Sequence, residues 1–199
     1  MQDLLKFDYR LFFVLNGHWH APWLDTIFPF FRNPFFWAPL YLFLVLFMLI
    51  NFRWRGWWWV LFFLLTFAVT DYTCGNIIKD LTLRMRPCND PVMSQHTRSL
   101  VPCAGHHSFP SNHAANHFAL AMFLFLTLRE RFGRWMGLFF VWAFLVSYAQ
   151  IYVGQHYPTD IVAGTALGLV IGTLTALFYN RRIGLPAAAD EPEEYYGAG

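Results

Sequence analysis

Apolar residues run along this chain in blocks too long for an ordinary strand or a short buried helix. Residues 35–52 carry no charge, and 57–78 carry only Asp71. Further blocks cover 113–128, 135–151 and 161–179. Each holds 16 to 22 residues, close to the ~20 a helix needs to cross the hydrocarbon core of a bilayer. Inside that core every backbone polar group must be satisfied within its own segment, which selects helices. The pattern predicts an all-α fold: a polytopic membrane helix bundle of about five to six helices.

The first 33 residues read differently. Residues 4–15 are apolar but short, and Lys6, Asp8 and Arg10 interrupt them, as in an amphipathic helix lying in the membrane interface. Residues 21–31 form a second short piece that Asn33-Pro34 should end, because the residue before proline avoids helical dihedrals. The division expected is an interfacial segment at 1–33, a membrane domain at 34–182 and a disordered tail at 183–199. The tail is rich in Ala, Pro and Glu. No basic stretch leads into a short apolar run with a small-residue cleavage site, so the spans themselves are expected to direct insertion.

Basic residues cluster after alternate blocks: Arg53 and Arg55, then Arg129, Arg131 and Arg134, then Arg181 and Arg182. Five spans put all three clusters on one side, and the positive-inside rule makes it cytoplasmic. The loops at 79–111 and 152–158 then share the outer face. Composition supports a membrane protein. Hydrophobic residues are 57% of the 199, and charged ones only 13%, about half their share in soluble domains. The formal charge of +2 argues against a nucleic-acid-binding face.

The two outer loops hold most of the unusual chemistry. The first opens on Lys79 and continues to Arg86-Pro87, and closes on Pro110-Ser111-Asn112-His113 at the start of a span. The second carries His156 and, four residues on, Asp160. Cations, a helix N-terminus and paired histidines suit a tetrahedral oxyanion. Lys and Arg neutralise it, Arg through a bidentate fork, and amides at a helix start point at it with the positive dipole end. Asp160 can fix the tautomer of His156 and leave one nitrogen free to attack. His113 can serve as general acid and base. Singly, each residue has a plainer explanation: snorkelling for the cations, a helix cap for the aspartate.

In this order and spacing, Lys-x6-Arg-Pro, Pro-Ser-x-His and His-x3-Asp resemble the type 2 phosphatidic acid phosphatase family, whose haloperoxidase relatives hold vanadate in a similar site. The resemblance covers roughly residues 35–180. It implies that 34–182 is a membrane phosphatase domain working through a phosphohistidine: His156 as nucleophile, Asp160 orienting it, His113 as acid then base. Lys79, Arg86, Ser111, Asn112 and Gln150 would hold the phosphate. The chain departs from the family pattern twice. Asn112 stands where the family has Gly, and its backbone N–H survives that change. Ala149-Gln150 stands where the family has Ser-Arg, so one guanidinium is missing. Gln donates only a neutral hydrogen bond, and Arg84 and Arg98 are the nearby candidates to fill the gap.

Other features stay open. His113 and His117 have a zinc-like spacing, but no Glu or Cys completes a pattern, and no metal or cofactor is expected. Asp71 inside a span is either a site residue or half of an interhelical hydrogen bond. Gly164, Gly168 and Gly172 read as a helix-packing stripe. Cys88 and Cys103 either pair as a disulfide or remain free thiols. The function expected is hydrolysis of a lipid phosphate: phosphatidate, phosphatidylglycerophosphate, polyprenyl diphosphate or a lipid A phosphate. The alternatives are an impaired lipid-phosphate-binding relative or scaffold, and a lipid-to-lipid phosphotransferase. The expected setting is the inner or plasma membrane, with the site on the periplasmic or extracellular side, a lipid phosphate and the bilayer as partners, and no nucleic acid.

Overall fold

The structure is a computed structural model that describes residues 2–105 and 107–186. Its elements are helical: α1 (Gln2–Phe13), α2 (Pro22–Phe31), α3 (Ala38–Tyr72), the single turn α4 (Lys79–Thr82), α5 (Asn112–Phe132), α6 (Leu138–Tyr152) and α7 (Pro158–Arg182). Three stretches are long and apolar enough to cross a membrane: Pro34–Thr82, Asn112–Tyr152 and Pro158–Arg182. The first two are each doubled back.

A straight helix would hold Tyr41 and Phe63 about 33 Å apart, yet their ring centroids are 6.5 Å apart. The reversal is at Arg53, whose φ of 48° is left-handed. Gly56 lets the returning arm approach: a Cβ there would lie 2.0 Å from the Met48 carbonyl oxygen. Likewise α5 and α6 are antiparallel across the turn Gly133–Gly137, with Phe125 against Phe140 at 5.5 Å. The five apolar blocks become the two arms of α3, then α5, α6 and α7.

At the centre, Met48, Trp59, Phe63, Phe123, Leu124, Val146 and Tyr179 form one buried cluster. The tightest contact in the bundle is α5 on α7. Cβ atoms at Gly164, Gly168 and Gly172 would come within 2.5, 2.2 and 2.3 Å of the Ser111, Ala115 and Ala119 carbonyl oxygens. Glycine is the residue type that allows this backbone approach. The stripe expected from sequence is that packing face, and it sets Ser111 beside the start of α7.

The basic clusters gather at the far end. The Tyr179 hydroxyl donates to the Arg55 carbonyl at 3.2 Å, Arg131 lies over the Phe52 ring, and Arg181 and Arg182 close α7. Ile183 and Leu185 still pack on the core. The disorder expected of the tail falls mainly on 187–199, outside the described residues.

Candidate active site

His156 follows α6 in the short connection to α7 and is almost fully buried. Its Nε2 is 2.8 Å from a terminal nitrogen of Arg86, which also donates to the Gln155 carbonyl. A guanidinium only donates, so Nε2 must be the acceptor and the ring proton sits on Nδ1. That nitrogen faces Asp160 Oδ2 at 3.5 Å, longer than a formed hydrogen bond. Burial is the main cause that holds the His156 pKa down, at about 4, with the Arg86 and Lys79 charges adding to it. The imidazole is therefore neutral at ordinary pH with its lone pair facing a cation. A nucleophile for phosphorus needs that neutral ring, and here the lone pair has to be released from Arg86 before it can attack.

Asp160 is held from several directions. Oδ2 accepts from the Tyr157 amide at 2.8 Å and Oδ1 from Arg84 at 2.7 Å. The Asp160 carbonyl accepts the Ser111 amide at 3.0 Å, joining the N-termini of α5 and α7. Ser111 caps α5 and is itself fully buried. His113, two residues on, turns its Nε2 to the Arg32 carbonyl at 3.1 Å. A carbonyl only accepts, so that nitrogen carries the proton.

The Asn112 side chain is committed elsewhere. Its amide donates to Asp71 Oδ1 at 2.9 Å, and Asn116 donates to the same oxygen at 2.9 Å. Asp71 is therefore an interhelical acceptor, and only the backbone of Asn112 is left for the phosphate contact expected of it. A Cβ on Gly75 would meet the Asn112 amide nitrogen at 2.9 Å, so that glycine makes room for the departure from the family pattern. Gln150 is fully buried, and neither polar atom of its side chain has a partner. His117 donates Nδ1–H to the His113 carbonyl at 2.8 Å and faces Tyr41, a lining role. Among the described residues, no three His, Cys, Asp or Glu side chains group as a metal site.

Neither candidate replacement for the missing arginine is free. Arg84 bridges Asp160 and Asp8, at 2.7 and 2.6 Å, and lies over the Tyr157 ring. Arg98 pairs with Asp25. Two further residues of the site were not singled out from sequence. Asp8, fully buried on α1, also accepts from the Thr159 amide and hydroxyl. Asn16 bonds the Ile151, Tyr152 and Arg98 carbonyls. Asp8 reads from sequence only as one charge on a short amphipathic helix, and Asn16 follows that helix with no signal of its own. The loop above is pinned by a Cys88–Cys103 disulfide, Cα atoms 5.9 Å apart. Gln155, next to His156, bonds the Ala104 amide and the Pro102 carbonyl in that loop.

Beside the site lies a cavity of about 360 Å³. Arg32, Asp71, Asn112, His113, Asn116 and His117 are among its polar lining residues, and Tyr41, Phe63 and Phe67 among its apolar ones.

The PAP2 superfamily pattern matches residues 57–184. A lipid A 4′-phosphatase of Bacteroides thetaiotaomicron is 34% identical over 203 residues, covering 100% of this chain and 88% of that protein. A lipid A 4′-phosphatase of Porphyromonas gingivalis is 27% identical over 99% of this chain and 85% of its own length. Among solved structures, a transmembrane PAP2 type phosphatidylglycerolphosphate phosphatase from Bacillus subtilis superposes with a TM-score of 0.69 at 23% identity. That match covers 92% of this chain and 89% of the other. On the family match and the full-length relative together, this integral-membrane chain belongs to the PAP2 superfamily.

Proposed function

We propose that this protein hydrolyses the phosphate of a membrane lipid through a covalent phosphohistidine, and that its substrate is a lipid A phosphate. The observation that carries the reading is the His156 lone pair, held on Nε2 at 2.8 Å from Arg86. A phosphate that takes this guanidinium off Nε2 frees the lone pair and brings its phosphorus to the ring nitrogen. His156 Nε2 attacks, the phosphorus–oxygen bond to the lipid breaks, and a doubly protonated His113, its Nε2–H still on the Arg32 carbonyl, gives its Nδ1 proton to the leaving oxygen and becomes neutral. Water then attacks the phosphohistidine and surrenders a proton to His113. Inorganic phosphate leaves and His156 returns neutral. Asp160 positions Nδ1–H and stabilises the charge that develops on the ring. Lys79, Arg86 and the amides at the start of α5 hold the phosphate oxygens. The scheme uses no metal.

The apolar cavity wall supports a lipid tail beside the site, and the full-length lipid A 4′-phosphatase relative supports lipid A as the headgroup. The gathered arginines support a cytoplasmic far end and with it a site on the periplasmic or extracellular side. A disulfide beside the site suits that oxidising face.

The test is a phosphate-release panel with purified protein in detergent, using lipid A, phosphatidate, phosphatidylglycerophosphate and undecaprenyl diphosphate. Release from lipid A that vanishes in His156→Ala is the expected result; a preference for another lipid overturns the substrate assignment. The uncharged Gln150 favours a second reading, an impaired phosphate-binding relative, and silence on every lipid would favour it.

A further inference from the structure

The corner between α6 and α7 is short of one cation. Gln150 brings none, Arg84 and Arg98 are each paired with carboxylates, and Arg86 lies against His156. One more arginine reaches this region, from a part of the chain outside the 57–184 family match. Arg32 forms the C-terminal cap of α2. Its carbonyl receives His113, and Arg32 lines the same cavity as His113, Asn112 and Asp71, whose carboxylate is held by the Asn112 and Asn116 amides.

Among the described residues no carboxylate pairs with Arg32, and its Nε is buried without a hydrogen-bond partner. An arginine with an anchoring role alone turns its guanidinium out to water and headgroups. This one turns part of it inward, beside other cations. Burial lowers the pKa of Arg32. Its charge is in turn felt at Arg86, whose pKa burial first and Arg32 further lower to about 10. An unpaired cation beside a second cation in a low-dielectric setting is costly. A bound dianion removes that cost for both.

We infer that Arg32 is a phosphate-binding residue of this site, supplying from the N-terminal segment the guanidinium that the family pattern supplies at the position of Gln150. The inference rests on the phosphatase reading above and deepens it. The N-terminal helices then complete the active site as well as lying beside it, and Gln150 leaves space that a second guanidinium would crowd.

Orthovanadate, a mimic of the phosphate being transferred, tests this without turnover. Its affinity is read by thermal shift on detergent-solubilised protein, beside kcat/KM on the best lipid from the panel. Arg32→Gln is expected to weaken vanadate binding and lower kcat/KM about ten- to hundred-fold, as loss of a charge-assisted contact does. Arg32→Gln combined with Gln150→Arg is expected to recover most of the loss, while Gln150→Arg alone gains little or falls. Unchanged vanadate affinity in Arg32→Gln overturns the inference, as does failure of Gln150→Arg to recover any of it. If Gln at position 32 unfolds the protein, Arg32→Lys decides: weaker vanadate binding supports the role, since lysine lacks the bidentate fork, and unchanged binding removes it. A wild type that binds vanadate through Arg32 yet cleaves no lipid would leave the inference standing and remove the phosphatase reading.

Discussion

Arg84 grips Oδ1 of Asp160 at 2.7 Å, leaving Oδ2 to the Tyr157 amide and the His156 ring. On its other side Arg84 holds Asp8, which also takes the Thr159 amide. The carboxylate that faces the His156 ring is therefore itself oriented, through Arg84, by Asp8 on α1.

Arg84→Gln should lower kcat about tenfold with little change in KM, because Asp160 loses its anchor while the phosphate contacts remain. Removing one partner from a largely buried charge network costs about 3 kcal/mol, so the thermal midpoint should fall too. Asp8→Asn should act in the same direction but less strongly. The two substitutions together should cost less than their sum, since they break one network. Steady-state kinetics and melting curves on the three variants check this; strict additivity would separate Asp8 from the catalytic carboxylate.

Acid should weaken the fold through His156. The unfolded chain takes up a proton there as pH falls through 6.5, whereas the folded protein resists until about pH 4. Stability is complete above pH 6.5 and is lost between there and pH 4, by up to about 3 kcal/mol. Melting curves at pH 7 and pH 5 should show a larger loss for wild type than for His156→Gln. Equal losses would mean that the imidazole is not held neutral.

The seam between α5 and α7 makes a sharper structural prediction. Gly168→Ala places a methyl against the Ala115 backbone, which cannot rotate aside. Overpacking of this kind costs roughly 1–3 kcal/mol or more, and turnover should drop as Ser111 and Asp160 move apart. Gly137→Ala, with nothing within 4 Å of the added carbon, should be close to neutral and serves as the control in both assays.

Orientation and the disulfide can be checked together. A cysteine at the exposed Gln95 should react with an impermeant thiol reagent in intact cells, and one at Arg53 should be protected. The reverse pattern would put the site in the cytoplasm. Cys88→Ser with Cys103→Ser should lower stability by about 3 kcal/mol, the loop-closure value for a separation near 15 residues. It should also slow turnover, because the freed loop carries the groups that bond Gln155.

The spans and the motif residues were legible because each rests on local pattern: hydrocarbon thickness sets block length, and the motifs are short strings. The glycine stripe was legible for the same reason, as a four-residue period. Partner choice across the chain was not. Asp8 looked like one charge on an amphipathic helix, Asn16 carried no signal, and Arg32 none beyond standing before a breaker. Arg84 and Arg98 stood close to the motifs in sequence and invited the role of the missing arginine. The structure shows both neutralised by aspartates from the N-terminal segment, a pairing that no periodicity encodes. Asp71 left two readings open, and the amides of Asn112 and Asn116 decide for the structural one.

The glycine seam also bears on how such a protein can change. Where α5 and α7 meet, backbone touches backbone, so the seam itself offers no side chain whose replacement could reshape it. Variation in what the protein accepts has to be written on the cavity lining, above all where the end of α2 and the arms of α3 bring Arg32, Tyr41, Phe63 and Phe67 to it. An engineer seeking a different lipid should leave the seam alone and randomise that lining. Across homologues, the seam should drift slowly while the lining diverges with the substrate.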